Sequence, residues 1–148
     1  MIIYCDGGSR GNPGPAASAF VVTEGPSKDE AGKVIYKDSK FLGVETNNVA
    51  EYTAVLIAIK WLSSQFTDHR SPNTVVINLD SQLVERQLNG FYKVKNIKLK
   101  LLADEIKLKI VNCKLKINFV WDYRTKNTLA DDLVNEELDL NGKTEINF

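Results

Sequence analysis

A chain of 148 residues is one domain's worth, since domains usually run to roughly 100–150 residues. Apolar types make up 43% and charged types 26%, enough for one sizeable core and too balanced for wholesale disorder. The 19 basic and 19 acidic residues cancel, which excludes a strongly cationic, histone-like nucleic-acid binder but leaves room for local patches that meet phosphates. No apolar run approaches the ~20 residues of a membrane span, and no basic start precedes a leader-like stretch. Neither a membrane partner nor secretion is expected, and a cytoplasmic location is. Cys5 and Cys113 lie far apart with no CxxC or Cys/His pattern, so neither a disulfide framework nor a zinc site is suggested.

In chain order, Ile2-Ile3-Tyr4-Cys5 is a short β-prone run that stops at Asp6-Gly7-Gly8. A turn-rich stretch from Ser9 to Pro15 leads to a second run, Ala17 to Thr23. A third covers Lys33 to Leu42, where Val34 and Tyr36 alternate with polar neighbours. Three strands with short joins predict an antiparallel meander. From Asn48 the period changes: Tyr52, Val55, Leu56, Ile59 and Leu62 recur at three- and four-residue intervals. That spacing predicts an amphipathic helix with one buried stripe, capped by Thr46 or Asn47 and ending near Phe66. Thr74 to Leu79 reads as a buried strand ending at Asp80, and Ser81 to Leu88 as a short helix closed by Asn89-Gly90. A helix from Leu99 to Val111, a strand from Leu115 to Trp121 and a helix from Thr128 to Leu138 follow, with a flexible tail from about Asn141. The meander followed by strand–helix alternation predicts a single α/β domain over 1–148. Its mixed five-stranded sheet has three antiparallel strands, then two parallel additions, flanked by about four helices.

Asp6 and Asp80 each stand at a strand end, and Glu51 in the first turn of a helix. Strands that end at one sheet edge bring their terminal residues within several ångströms, because neighbours are ~4.8 Å apart. Ligand sites in open α/β sheets form at the carboxyl ends of strands. Each acid also has a bland reading: an Asp at a strand end forms turns or caps helices, and Glu51 or the Asp131-Asp132 pair can complement a helix dipole. Cys5 reads as a small buried strand residue, and Trp61 and Trp121 as core.

Four segments then decide between these readings: Asp6-Gly7-Gly8-Ser9-Arg10-Gly11-Asn12-Pro13-Gly14-Pro15, Thr46-Asn47-Asn48-Val49-Ala50-Glu51-Tyr52, Asp80-Ser81-Gln82-Leu83-Val84 and Ala130-Asp131-Asp132-Leu133-Val134-Asn135. In this order, from Ile2 to about Leu138, they closely resemble type 1 ribonuclease H, and specifically its archaeal-like branch without the basic handle. The resemblance implies the ribonuclease H-like fold and cleavage of the RNA strand of an RNA–DNA hybrid to 5′-phosphate and 3′-hydroxyl products. It implies a pair of Mg²⁺ ions (or Mn²⁺) held by Asp6, Glu51, Asp80 and Asp131. Asp131 is preferred to Asp132 because Ala130 to Asn135 matches the family's Ala-Asp-x-Leu-x-Asn, which turns Asp132 about 100° away. It further implies nucleotide contacts from Asn12, Asn47, Asn48 and Gln82, contacts to RNA 2′-hydroxyls from the backbone of Gly7, Gly8 and Ser9, and a DNA phosphate beside Thr46. A tight turn for the glycines and a plain helix cap for Thr46 are the alternatives. A monomer is expected.

The chemistry suits those residue types. Two ions ~3.5–4 Å apart favour ionisation of the attacking water and hold the leaving oxygen, and all-oxygen ligands select Mg²⁺ or Mn²⁺ over zinc. Packed acids also repel one another, so the metal-free fold should be strained there. The chain departs from many relatives in two places. The loop Asp122 to Asn127 carries no histidine; Arg124 occupies it, with a phosphate-handling or product-release role expected, and His69 reads as a solvated loop residue. The segment Asn89 to Asn96 is too short for a basic handle, while lysines gather at 93, 95, 98, 100, 107, 109, 114 and 116. These are either a solvated helix face or a substitute patch for the DNA strand, with Lys93 and Lys95 beside Phe91 and Tyr92. The competing function is a catalytically weak module of the same fold that binds hybrid or double-stranded RNA.

Overall fold

The computed structural model describes residues 1–24, 32–66, 74–121 and 127–146, with side chains through 141. Nine elements run β1 (Ile2–Ser9), β2 (Gly14–Glu24), β3 (Lys33–Glu45), α1 (Asn47–Gln65), β4 (Val75–Leu79), α2 (Gln82–Leu88), α3 (Ile97–Asn112), β5 (Ile117–Trp121) and α4 (Thr128–Ile146). The strands form one sheet in the order β3-β2-β1-β4-β5. β1, β2 and β3 pair antiparallel, and β4 and β5 add in parallel. This is the expected mixed sheet.

Alternation along β1 and β2 sorts the two faces of the sheet. Ile3, Cys5, Phe20 and Val22 pack under α1, within the main core. Ala17 and Ala19 point the other way and meet Val134 and Leu138 of α4. α1 is not the one-stripe helix its period predicts. Val49, Ala50, Tyr52, Ala54, Val55, Leu56, Ala58, Ile59 and Leu62 are all buried, because Leu99, Ala103 and Ile106 of α3 join the same core. A helix enclosed on both sides is apolar nearly all round. Trp61 is partly buried, its ring stacked 5.0 Å from that of Tyr36, and Cys5 is buried as expected.

Several boundaries differ from the sequence reading, and three of the extensions have a visible partner. β1 continues through Asp6, Gly7, Gly8 and Ser9 because β2 supplies Ala19, Ser18, Ala17 and Ala16 opposite them. β3 runs on to Glu45 past a register shift between Ala16 and Ala17, eased by Gly43 at φ 75°. α4 passes the expected end at Leu138 and reaches Ile146. Asn141 Nδ2 donates to the carbonyl and carboxylate of Glu137, at 2.8 and 3.0 Å, while Ser39 Oγ of β3 donates to Glu137 Oε1 at 2.8 Å. Tertiary docking therefore carries the helix through Gly142.

Candidate active site

The parallel pairing of β1 with β4 ends at Cys5 opposite Leu79. Asp6 and Asp80 are each the next residue, so the register alone sets both acids at the carboxyl edge of neighbouring strands. Alternation turns Asp6 away from α1, toward α4, where Asp131 occupies the first turn. Glu51 arrives from the second turn of α1 and not the first, because the helix already begins at Asn47, and that approach is unusually close. A Cβ on Gly7 would lie 2.2 Å from the Ala50 carbonyl carbon and 2.5 Å from the Glu51 nitrogen. Only glycine lets the helix cross the strand there. Ser18, paired with Gly7 in the register, donates its Oγ to the Ala50 carbonyl at 2.6 Å and fixes the crossing.

The acids feel one another. Burial pushes the Asp6 carboxyl up to about 8, and the charges of Asp80 and Asp131, a hydrogen bond with Asp131 and the charge of Glu51 all push the same way. Burial likewise raises Glu51 to about 7, opposed by a hydrogen bond from Ser81 and helped by the Asp80 charge. Of the Asp131-Asp132 pair, it is Asp131 whose charge and hydrogen bond act on Asp6. Among the described residues no group of three His, Cys, Asp or Glu side chains is arranged to hold a metal ion as it stands. The acids press on one another rather than close around a finished cage.

The donor set nevertheless suits a hard divalent cation. It consists of carboxylate oxygen throughout, and Glu51 Oε2 is buried without a hydrogen-bond partner. Asp6 also keeps a proton near neutral pH that a cation would displace.

Around the acids, the expected substrate residues form a hydrogen-bonded loop. Ser9 N donates to Asn47 Oδ1 at 2.8 Å, Asn47 N donates to Asn12 Oδ1 at 3.1 Å, and Ser9 Oγ donates to the Gly11 carbonyl. Thr46 caps α1, accepting from Val49 N at 3.2 Å. Asn12, Thr46 and Asn48 also line an open cavity of about 310 Å³ with Asn96 and Lys98. Gln82 is exposed at the start of α2, and Gly8 lies against Val134. Lys93 and Lys95 stand exposed beyond α2, next to exposed Phe91 and Tyr92. The Arg86 guanidinium sits 5.6 Å over the Phe91 ring. Lys98 is engaged by Glu45. Arg124 and His69 lie outside the described residues.

Sequence reasoning missed three supports. Ser18 holds the Ala50 carbonyl next to Glu51, Ser81 hydrogen-bonds the Glu51 carboxylate, and Asn127 ties the start of α4 to β1, its Nδ2 donating to the Cys5 carbonyl at 2.7 Å. Ser81 was visible, within the Asp80-Ser81 motif. Ser18 and Asn127 carry no local signal, since their partners lie 32 and 122 positions away.

A family model described as reverse transcriptase-like matches residues 4–137, which sets the chain in the ribonuclease H-like class. Among solved structures, LC11-RNase H1 in complex with an RNA/DNA hybrid is 41% identical, with 94% of this chain and 96% of that chain covered and a TM-score of 0.84. RNase H1 from the halophilic archaeon Halobacterium salinarum is 32% identical over 93% of this chain and 96% of that one, with a TM-score of 0.78. A curated bifunctional protein of Mycobacterium tuberculosis is 33% identical over 94% of this chain, and the chain spans only 35% of its length. On this coverage the chain belongs to the type 1 ribonuclease H family. No helix among the described residues is long and apolar enough to cross a membrane.

Proposed function

We propose that the chain is a divalent-cation-dependent endonuclease that hydrolyses the RNA strand of an RNA–DNA hybrid to 5′-phosphate and 3′-hydroxyl ends. The observation that carries this reading is the environment of Asp6: a buried carboxyl pressed by Asp80, Asp131 and Glu51 at one sheet edge. Such a cluster is costly to keep unless a cation or a reaction uses it. Asp6, Glu51, Asp80 and Asp131 would hold two Mg²⁺ ions, with Mn²⁺ a substitute. When bound, the ions supply Lewis acidity to the attacking water and counter-charge to the leaving 3′-oxygen.

The chain's own residues do the rest. The loop tied by Ser9, Asn12 and Asn47 is held in place before substrate arrives, and its amides, with Asn48 and Gln82, face a duplex groove. Gly7 and Gly8 carry no Cβ to hold a sugar away, so the main chain can meet the 2′-hydroxyl that distinguishes RNA from DNA. Thr46 serves a DNA-strand phosphate as well as its helix. Lys93 and Lys95 supply charge for the DNA strand, and Arg124 assists phosphate handling or product release.

The test is cleavage of a labelled hybrid, with matched RNA–RNA and DNA–DNA duplexes, with and without Mg²⁺. Wild type should cut the hybrid's RNA strand only with Mg²⁺. Asp6→Asn should lose activity on the order of 10³-fold, the equivalent of several kcal/mol of lost charge stabilisation. Hybrid binding without cleavage by the wild type would favour the binding-module reading.

A further inference from the structure

We propose that Asn127 is a positioning residue for the acid cluster, its side-chain amide setting the spacing between Asp6 and Asp131. The inference rests on the reading of those acids as cation ligands. Asn127 reaches both sides of the site. Its carbonyl accepts from the Asp131 nitrogen at 3.0 Å, the first turn of α4. Its Nδ2 donates to the Cys5 carbonyl at 2.7 Å in a buried hydrogen bond. Cys5 directly precedes Asp6 and pairs with Leu79, which directly precedes Asp80. One amide thus joins the start of the helix bearing Asp131 to the strand ends bearing the other two aspartates.

The direction in which the side chain points is informative. An asparagine at a helix start ordinarily turns its Oδ1 to accept from the free amides of the first turn. Here Oδ1 is buried and accepts nothing among the described residues, although Asn127 is only 8% exposed. The residue forgoes a cap to hold the strand. The helix does not need this bond merely to dock, because Val134 and Leu138 pack on Ala17 and Ala19. Farther along α4, Ser39 holds Glu137 and Arg10 pairs with Asp139 at 2.7 Å. Those anchors all lie C-terminal to Asp131. The bond from Asn127 fixes the one turn they do not.

Residues that orient metal ligands typically cost 10–100-fold in affinity or activity when removed. Asn127→Ala and Asn127→Ser are compared with wild type by calorimetric Mg²⁺ titration of the free protein, steady-state kinetics on a labelled hybrid, and thermal melting. Serine restores a good cap yet is too short to reach the Cys5 carbonyl, so it keeps the helix start formed if alanine does not fold. Both variants should bind Mg²⁺ about 10–100-fold more weakly and lose kcat. KM for the hybrid should stay within about twofold, because no substrate contact is removed, and added Mg²⁺ should recover part of kcat. A folded variant with Mg²⁺ affinity and kcat within twofold of wild type overturns the proposal, whatever its melting temperature. A wild type that neither binds Mg²⁺ nor cuts hybrid sinks the functional reading instead, so the two failures are separable.

Discussion

Gly7 and Asp6 are neighbours with opposite demands. Asp6 turns toward α4 and needs a polar, charge-bearing environment, while Gly7 must present nothing at all to α1. Backbone atoms of Ala50 and Glu51 occupy the space a Cβ would take, at 2.2 to 2.5 Å. They cannot rotate aside as a flexible side chain could. Gly7→Ala should therefore destabilise the fold by about 3 kcal/mol, at the upper end for overpacking, and displace Glu51, measured as a lower denaturant midpoint with reduced cleavage. A variant as stable as wild type would mean that α1 can back away. The motifs made the acids legible, because they are contiguous strings that resemble a known family. They did not reveal why the second motif residue is glycine: that reason sits 43 positions downstream, in the backbone of a helix.

At the scale of elements, the site depends on where three helices start. α1 is fixed by Ser18, α2 by the cap from Ser81 to Val84 N at 3.2 Å, and α4 by Asn127. Ser18→Ala leaves the buried Ala50 carbonyl without that donor and should cost about 1–3 kcal/mol. A modest rise in the Mg²⁺ concentration needed for half-maximal cleavage should accompany it, since Glu51 follows Ala50. Urea unfolding and a Mg²⁺ titration of cleavage check both halves of that statement. The order of elements was legible from periodicity and turn residues, and so were most of their ends. Two ends moved with partners that periodicity does not show: β1 extended by β2, and α4 by Ser39 of β3 together with the helix's own Glu137–Asn141 bonds. The single buried stripe predicted for α1 failed for the same reason, because periodicity cannot see that α3 covers the second side.

Over the whole molecule, formal charge sums to zero, so general charge repulsion does not dominate stability and the local cluster can show itself. Asp6 and Glu51 titrate near 8 and 7 when folded, against about 3.9 and 4.3 when unfolded. Between those values the folded state binds more protons than the unfolded state, so stability falls as pH rises. In chelator, the melting temperature should decline from about pH 4 to 8 and level off above. Mg²⁺, binding only the folded state, should raise it most at the alkaline end. Asp6→Asn should flatten the decline. A metal-free melting temperature independent of pH across that window would mean that neither burial nor the neighbouring charges raise the two carboxyls.

Anomalous diffraction from crystals soaked in Mn²⁺ is the decisive measurement, because it locates cations without relying on activity. Anomalous density is expected beside the carboxylates of Asp6, Glu51, Asp80 and Asp131, and is expected to be lost in crystals of Asp6→Asn. Density elsewhere on the protein, with the four carboxylates left bare at a saturating Mn²⁺ concentration, would contradict that expectation.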